Sequence, residues 1–235
     1  MLAAEHLLAR AKELGAEEAE VYISSGTEFT VQVYKAEIES LVSAESRGVG
    51  LRTFREHRVG FSYTSDMEPQ ALDELVNEAL ENGRYNNADE ANVLPDPTPI
   101  DPLPGLTSPA LLEADPQKKI DFALEMERRA ISLDPRVRRV SKAIYSDGSG
   151  RVEIYNTHGL DAKFDRTVAY GVLDTIAEQD TEMQSGFAFT HGRDMDHLDL
   201  DGVVREAVEN AAGLLGRARC PPPPSPLFSI RMRRR

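Results

Sequence analysis

The stretch VGFSYTSDMEPQALDELVNEAL at residues 59–80 is echoed by SGFAFTHGRDMDHLDLDGVVREAV at residues 185–208. In both, alternating apolar residues around Gly-Phe-x-aromatic-Thr lead through polar residues into an amphipathic helix pattern. The echo therefore predicts a strand followed by a helix twice in the chain, as in a tandem repeat. The pattern alone leaves a second interpretation open, because any antiparallel α+β domain can end a strand before a helix.

The residues before and after the first copy predict a complete helix/sheet/helix unit. Apolar residues at the spacing of one helical face precede Gly15 at a helix stop position: Ala4, Leu7, Leu8, Ala11 and Leu14. Two-residue alternation then predicts half-buried antiparallel strands around residues 21–23, 29–33, 49–51 and 59–63. The closing helix should begin at a cap formed by Ser65 or Asp66 and end at Asn82-Gly83.

The same order of elements returns in the second half. A helix is predicted at residues 117–133, followed by strands around 142–146, 152–154, 160–164, 168–176 and 187–189. A last helix carries Val204, Ala207, Val208, Ala211 and Leu215. The predicted fold class is α+β, built from two tandem helix/antiparallel-sheet/helix units.

Proline and charge divide the chain further. We expect an N-terminal unit at 1–83, an Asn- and Pro-rich linker at 84–116, a middle unit at 117–216 and a Pro/Arg-rich tail at 217–235. The net charge of −13 is an average, because the tail has six arginines and no acid. Residues 1–216 carry 21 basic and 40 acidic side chains, a net charge of −19.

This acidity disfavours some partners. Nucleic acids are bound first through their phosphates, so direct DNA or RNA binding is not expected, and an anionic membrane would repel the same surface. The single cysteine, Cys220, excludes an internal disulfide framework and a cysteine-based zinc site. The N-terminus has no apolar run of the length that a signal or membrane span needs, so a cytoplasmic protein is expected.

Histidines are the first candidates for a metal site. No HExxH motif occurs, but His191 and His197 are followed by Asp199 and Asp201. A calcium loop starting at His197 fails, because Val208 stands where a bidentate glutamate is needed. The favoured interpretation is a solvated acidic turn whose aspartates cap the last helix.

Other catalytic patterns are also weak. There is no GxSxG motif, Cys220 lies in the tail, and the glycines Gly48 and Gly50 lack the third glycine of a phosphate-binding loop. No catalytic, cofactor-binding or metal-binding residue is therefore assigned. The alternating strands could instead present an edge to an extended peptide or to a partner's strand.

A family resemblance adds to this picture. The residues AKELGAEEAEVYISSGTEFTVQVYKAEIESLVSAESRGVGLRTFREHRVGFSYTSDMEPQALDELVNEAL at 11–80 resemble the N-terminal region of the TldD/PmbA family, the peptidase-related modulators of DNA gyrase. The stretches LEADPQKKIDFALEMERRAISLDPRV at 112–137 and DTEMQSGFAFTHGRDMDHLD at 180–199 are similar to its middle region and favour the PmbA (TldE) branch. The resemblance covers roughly residues 1–216 and lies in the ordered combination of motifs.

The resemblance implies a non-catalytic PmbA/TldE-like subunit that acts in proteolysis and peptide processing. Its expected partners are a TldD-like metallopeptidase subunit and a peptide or unfolded polypeptide substrate, with a homo-oligomer as another assembly. Zinc is expected in the HExxxH site of the TldD-type partner, and no cofactor in this chain. Family members continue with a further domain, so the tail at 217–235 is interpreted as an aberrant terminus on a chain truncated before that domain.

Two alternatives stay open at this point. The first is a non-enzymatic acidic protein that modulates DNA gyrase by presenting a DNA-like negative surface. The second is a non-functional truncated remnant.

Overall fold

The computed structural model describes residues 3–98 and 103–216, so the predicted tail lies outside the described residues. The first unit contains α1 (Ala3–Glu13), β1 (Glu18–Tyr34), β2 (Glu37–Arg55), β3 (Arg58–Thr64) and α2 (Pro69–Arg84). A short helix, α3 (Pro109–Leu112), lies in the connection. The second unit contains α4 (Pro116–Leu133), β4 (Val137–Asn156), β5 (Asp161–Gln179), β6 (Glu182–Gly192), a 3₁₀ turn (Met195–His197) and α5 (Leu200–Ala212).

All six strands form one antiparallel sheet in the order β3-β2-β1-β4-β5-β6. The two units meet where β1 pairs with β4, so each unit contributes three neighbouring strands. The predicted α+β class with tandem helix/sheet/helix units is confirmed. The division at residues 83, 116 and 216 stays a prediction.

The strands are longer than the alternation predicted. β4 is one strand of 20 residues where two shorter ones were expected, because glycines let the sheet curl without a break. A Cβ added to Gly26 would lie 2.6 Å from the Ser149 carbonyl oxygen, and one added to Gly148 would lie 2.4 Å from that of Thr27. Only glycine permits the paired strands β1 and β4 to approach each other so closely.

The two helix pairs cover one face of the sheet, and β1 passes under both. Val21 and Ile23 lie in the core beneath α1 and α2, whereas Val31 and Val33 lie in the core beneath α4 and α5. All four side chains have odd numbers and so point to the same face of the strand. The helices stabilise the sheet by burying this apolar face.

The units correspond in detail as well as in order. In both, a glycine of the edge strand touches the closing helix: a Cβ on Gly60 would lie 1.8 Å from the Ala79 carbonyl oxygen, and one on Gly186 would lie 2.1 Å from that of Ala207. An asparagine of each closing helix then donates to the next carbonyl of the edge strand, Asn82 to Phe61 and Asn210 to Phe187. These shared contacts favour the tandem-repeat interpretation over coincidence.

Two predicted ends of α2 are wrong. Its N-cap is Glu68 without a side-chain cap, because Pro69 takes the first helical position, and Asp66 instead accepts from the Glu68 amide in a local turn. The helix also continues past Asn82 to Arg84, since Gly83 remains helical against Gly60.

Other predicted ends agree with the structure. Gly15 takes φ +97° after α1, and Asp199 caps α5 by accepting from the Gly202 amide.

Candidate functional site

The most buried charges join α4 to β4. The Lys119 ammonium lies 2.6 Å from the Asp147 carboxylate, and the Tyr145 hydroxyl donates to the same oxygen at 2.7 Å. Lys119 also lies 4.9 Å from the centroid of the Phe29 ring. Burial, with the hydrogen bond to Asp147, raises the pKa of Tyr145, so the phenol stays a neutral donor. These groups are more than 90% buried, so the cluster joins α4 to the sheet inside the fold and does not form a ligand site.

A second polar network holds the segment between the two units against the second unit. The Ser108 hydroxyl donates to Asp194 at 2.8 Å, and the Ser108 amide donates to the Thr167 hydroxyl at 2.9 Å. The hydrogen bond from Ser108 lowers the pKa of Asp194. Because the serine gives its proton to a carboxylate and not to a histidine, this arrangement does not prepare a nucleophile.

The predicted His/Asp run is dispersed. His191 stacks on Phe189 with 5.8 Å between ring centroids, Asp199 caps α5, and Asp201 pairs with Arg129 of α4. Within residues 3–98 and 103–216, no three His, Cys, Asp or Glu side chains lie where they could hold one metal ion. Cys220 lies outside the described residues.

The other glycine motif also has a packing role. Gly50 lies in β2 opposite Tyr63 of β3, and a Cβ there would approach the Phe61 ring to 3.1 Å. The glycine leaves room for an aromatic side chain on the face of the sheet away from the helices. No phosphate-binding loop forms at Gly48 and Gly50, which both lie inside a strand.

That face of the sheet carries exposed aromatic and apolar side chains. On the edge strands, Phe61 packs 6.1 Å from Tyr63 and Phe187 packs 6.3 Å from Phe189, each ring between 50% and 76% exposed. We call the exposed set the open face: Tyr22, Phe61, Tyr63, Phe164, Val168, Tyr170, Phe187 and Phe189. Exposed apolar side chains that cluster in this way are typical of an interaction surface.

The two sheet edges are protected unequally. On β3, the outward carbonyls of Val59 and Phe61 accept from the side chains of Asn86 and Asn82. On β6, Asn210 covers only the Phe187 carbonyl. In the part of the chain that the structure describes, the outward carbonyls of Phe189 and His191 have no such cap, and on β3 the carbonyl of Tyr63 has none either. An extended chain can therefore pair with this end of β6 and lay side chains beside the open face.

Sequence reasoning anticipated strand pairing but missed the residues that shape it. Asn82 and Asn210 each follow the end of an echoed stretch by two positions, yet their role depends on which strands lie at the edges. Ser108 and Asp194 are 86 positions apart, and no local pattern connects them.

Comparison with known families decides the relationship. Residues 19–83 match PmbA/TldA metallopeptidase domain 1, and residues 109–215 match the PmbA/TldA metallopeptidase central domain. The chain belongs to the PmbA/TldD family. The predicted family membership is thereby confirmed, with matches in both units of the fold.

Curated PmbA/TldD relatives are distant and longer. The chain is 27% identical over 183 residues to metalloprotease PmbA of Escherichia coli O157:H7. It is 24% identical over 182 residues to the metalloprotease PmbA homolog of Haemophilus influenzae. Each match covers 77% of this chain but 40% of the relative, so the chain spans well under half the length of these relatives.

Solved structures show the same PmbA/TldD fold. TldE from Thermococcus kodakarensis superposes with a TM-score of 0.80 at 23% identity, covering 88% of this chain and 46% of that one. A Thermotoga maritima protein described as a candidate modulator of a DNA gyrase gives 0.82 at 20% identity, covering 93% and 49%. In the described residues, no helix is long and apolar enough to cross a membrane.

Proposed function

We propose that this chain corresponds to the first two domains of a PmbA/TldE-like, non-catalytic subunit in a two-subunit metallopeptidase assembly. Its partner is a TldD-type subunit that supplies the zinc site, and the assembly processes peptides or unfolded polypeptides in the cytoplasm. The family match and the structural likeness to a TldE support this assignment.

The observation that carries the proposal is the open face together with the uncapped end of β6. A polypeptide strand has backbone donors and acceptors at the spacing of β6, and its alternate side chains would lie beside Phe187 and Phe189. Backbone hydrogen bonds can bind chains of many different sequences. Aromatic contacts add affinity without requiring one particular side chain in the bound chain. A subunit of this kind positions chain segments and leaves bond cleavage to its partner.

A peptidase assay of the purified chain tests the non-catalytic role. The chain alone, with and without added zinc, should release no peptides from an unfolded polypeptide. The TldD-type partner in the same buffer serves as the positive control. Metal-dependent turnover by the chain alone would contradict the proposed role.

The second candidate is an acidic protein that binds a DNA gyrase. The net charge of −19 over residues 1–216 favours it, as does the name of the similar Thermotoga maritima protein. This function requires salt-sensitive binding to gyrase that DNA displaces. Binding that ignores salt and DNA would exclude it.

A further inference from the structure

A cavity of about 830 Å³ opens on the helix side of the first unit, away from the open face. It lies between α2 and the β2–β3 hairpin, with Leu14 and Leu80 as apolar walls and Thr53, Arg55 and Glu56 among its polar lining. Its volume falls in the range of small-molecule sites, about 300–1,000 Å³.

The repeat shows that this space is specific to the first unit. Thr53 pairs with Gly60 across the strands, as Thr175 pairs with Gly186, so the two threonines correspond. Two positions after each threonine, the first unit has the exposed Arg55 where the second has the buried Ala177. The second unit thus continues its apolar core at this position, whereas the first unit places a charged side chain in the cavity lining.

Several polar groups of the cavity lack partners. Thr53 is only 2% exposed, yet among the described residues its hydroxyl makes no hydrogen bond. The Thr175 hydroxyl, by contrast, donates to the carbonyls of Gly186 and Ala207. The Arg55 guanidinium and the Glu56 carboxylate also have no side-chain partner within residues 3–98 and 103–216. The Thr53 hydroxyl and the two charged groups are therefore free to bond a ligand in the cavity.

We propose that the cavity binds a short zwitterionic peptide of two or three residues with aliphatic side chains. Its carboxylate pairs with Arg55 and accepts from the Thr53 hydroxyl, its ammonium group pairs with Glu56, and its side chains lie against Leu14 and Leu80. Arg55 and Glu56 have no ion partner among the described residues, so a ligand that carries both charges would pair with both of them. The site is separate from the open face, so either proposal can fail without the other.

Titration of the ¹⁵N-labelled chain with leucyl-leucine tests this site. Saturable amide shifts should appear at residues 53–58 and 77–84. Acetylating the peptide's amino group, or amidating its carboxylate, should each weaken binding about tenfold or more, because each removes a charge-assisted contact. Absence of saturable binding, shifts confined to other residues, or equal binding of the blocked peptides would overturn the proposal.

Variants locate the contacts. Arg55→Gln should weaken binding about tenfold or more, and Thr53→Val should weaken it by a smaller factor. Arg205→Gln removes the same charge from an exposed position on α5 outside the cavity and should leave affinity unchanged. The amide spectrum of each variant confirms folding. Unchanged affinity in Arg55→Gln would overturn the proposal, as would equal losses in Arg55→Gln and Arg205→Gln.

Discussion

At the scale of single residues, Thr53 and Thr175 occupy corresponding positions, but only the Thr175 hydroxyl makes hydrogen bonds among the described residues. Replacing each by valine therefore measures what these hydrogen bonds contribute to stability. Thr175→Val keeps the side-chain shape but removes the donor to the Gly186 and Ala207 carbonyls. We expect urea denaturation to show a loss of about 1–3 kcal/mol in the free energy of unfolding. Thr53→Val is the matched control and should cost less than about 0.5 kcal/mol, because its hydroxyl makes no such bonds. Equal losses would show that the two hydrogen bonds do not contribute.

Breaking the buried ion pair of Lys119 and Asp147 should cause a larger loss in the free energy of unfolding. Asp147→Asn leaves the lysine ammonium buried without its counter-charge, and we expect a loss of about 3–5 kcal/mol in the free energy of unfolding. Asp165→Asn breaks the comparable pair with Arg151 at the surface and should cost less than about 1 kcal/mol. Similar costs for the two variants, measured by urea denaturation, would contradict the assigned burial.

At the scale of elements, Gly186 sets the distance between β6 and α5. Gly186→Ala would place a methyl group 2.1 Å from the Ala207 carbonyl oxygen, so helix and strand must separate. We expect a loss of about 3 kcal/mol in the free energy of unfolding. Gly48→Ala adds the same methyl 3.5 Å from the nearest atom and should cost less than about 1 kcal/mol. A thermal scan of both variants that showed equal changes would contradict the close packing of α5.

An ion cluster on α4 makes a prediction about pH. Hydrogen bonds from Arg128 and Arg129 lower the pKa of Glu125 from 4.5 to about 2, and Arg129 also pairs with Asp201 of α5. A lowered carboxyl pKa contributes stability above the unfolded value, and this contribution is lost as pH falls from about 4.5 towards 2. Because solvent screens this surface cluster, Glu125→Gln should cost about 0.5–1 kcal/mol at pH 6 and progressively less below pH 4.5.

The exposed Glu90 provides the control for that experiment. Glu90→Gln removes a carboxylate that has no ion-pair partner among the described residues. Its effect on the free energy of unfolding should stay near zero between pH 6 and pH 2.5. If Glu125→Gln gave the same flat profile, the pairing of Glu125 with Arg128 and Arg129 would not stabilise the fold.

The helices were predicted more closely than the strands. The pattern at 117–133 gave α4 to within one residue of Pro116–Leu133, because a helical period extends over many turns. The breaks between strands were wrong in β4, since Gly148 and Gly150 look like a turn but allow a curl. The unequal protection of the sheet edges could not be predicted, because it depends on strand order and on Asn82, Asn86 and Asn210.

At the scale of the whole molecule, one sheet joins two repeats while its two faces differ. The helices bury one face, and the other keeps aromatic side chains exposed on both edge strands. The net charge of −19 over residues 1–216 opposes the approach of phosphate backbones, which are also negative. The charge does not disfavour a polypeptide partner, whose contacts would be apolar groups and backbone hydrogen bonds.

The most direct test of the subunit role is the mass in solution of an equimolar mixture with a TldD-type partner, measured by light scattering after size-exclusion chromatography. We expect a complex that contains both chains. Replacing Phe187 and Phe189 by serine should leave this complex intact but weaken its binding of an unfolded polypeptide, whereas Tyr85→Ser, which changes an aromatic side chain 81% exposed just beyond α2, should change neither. Elution of the two unmodified proteins as separate species would contradict the proposed function.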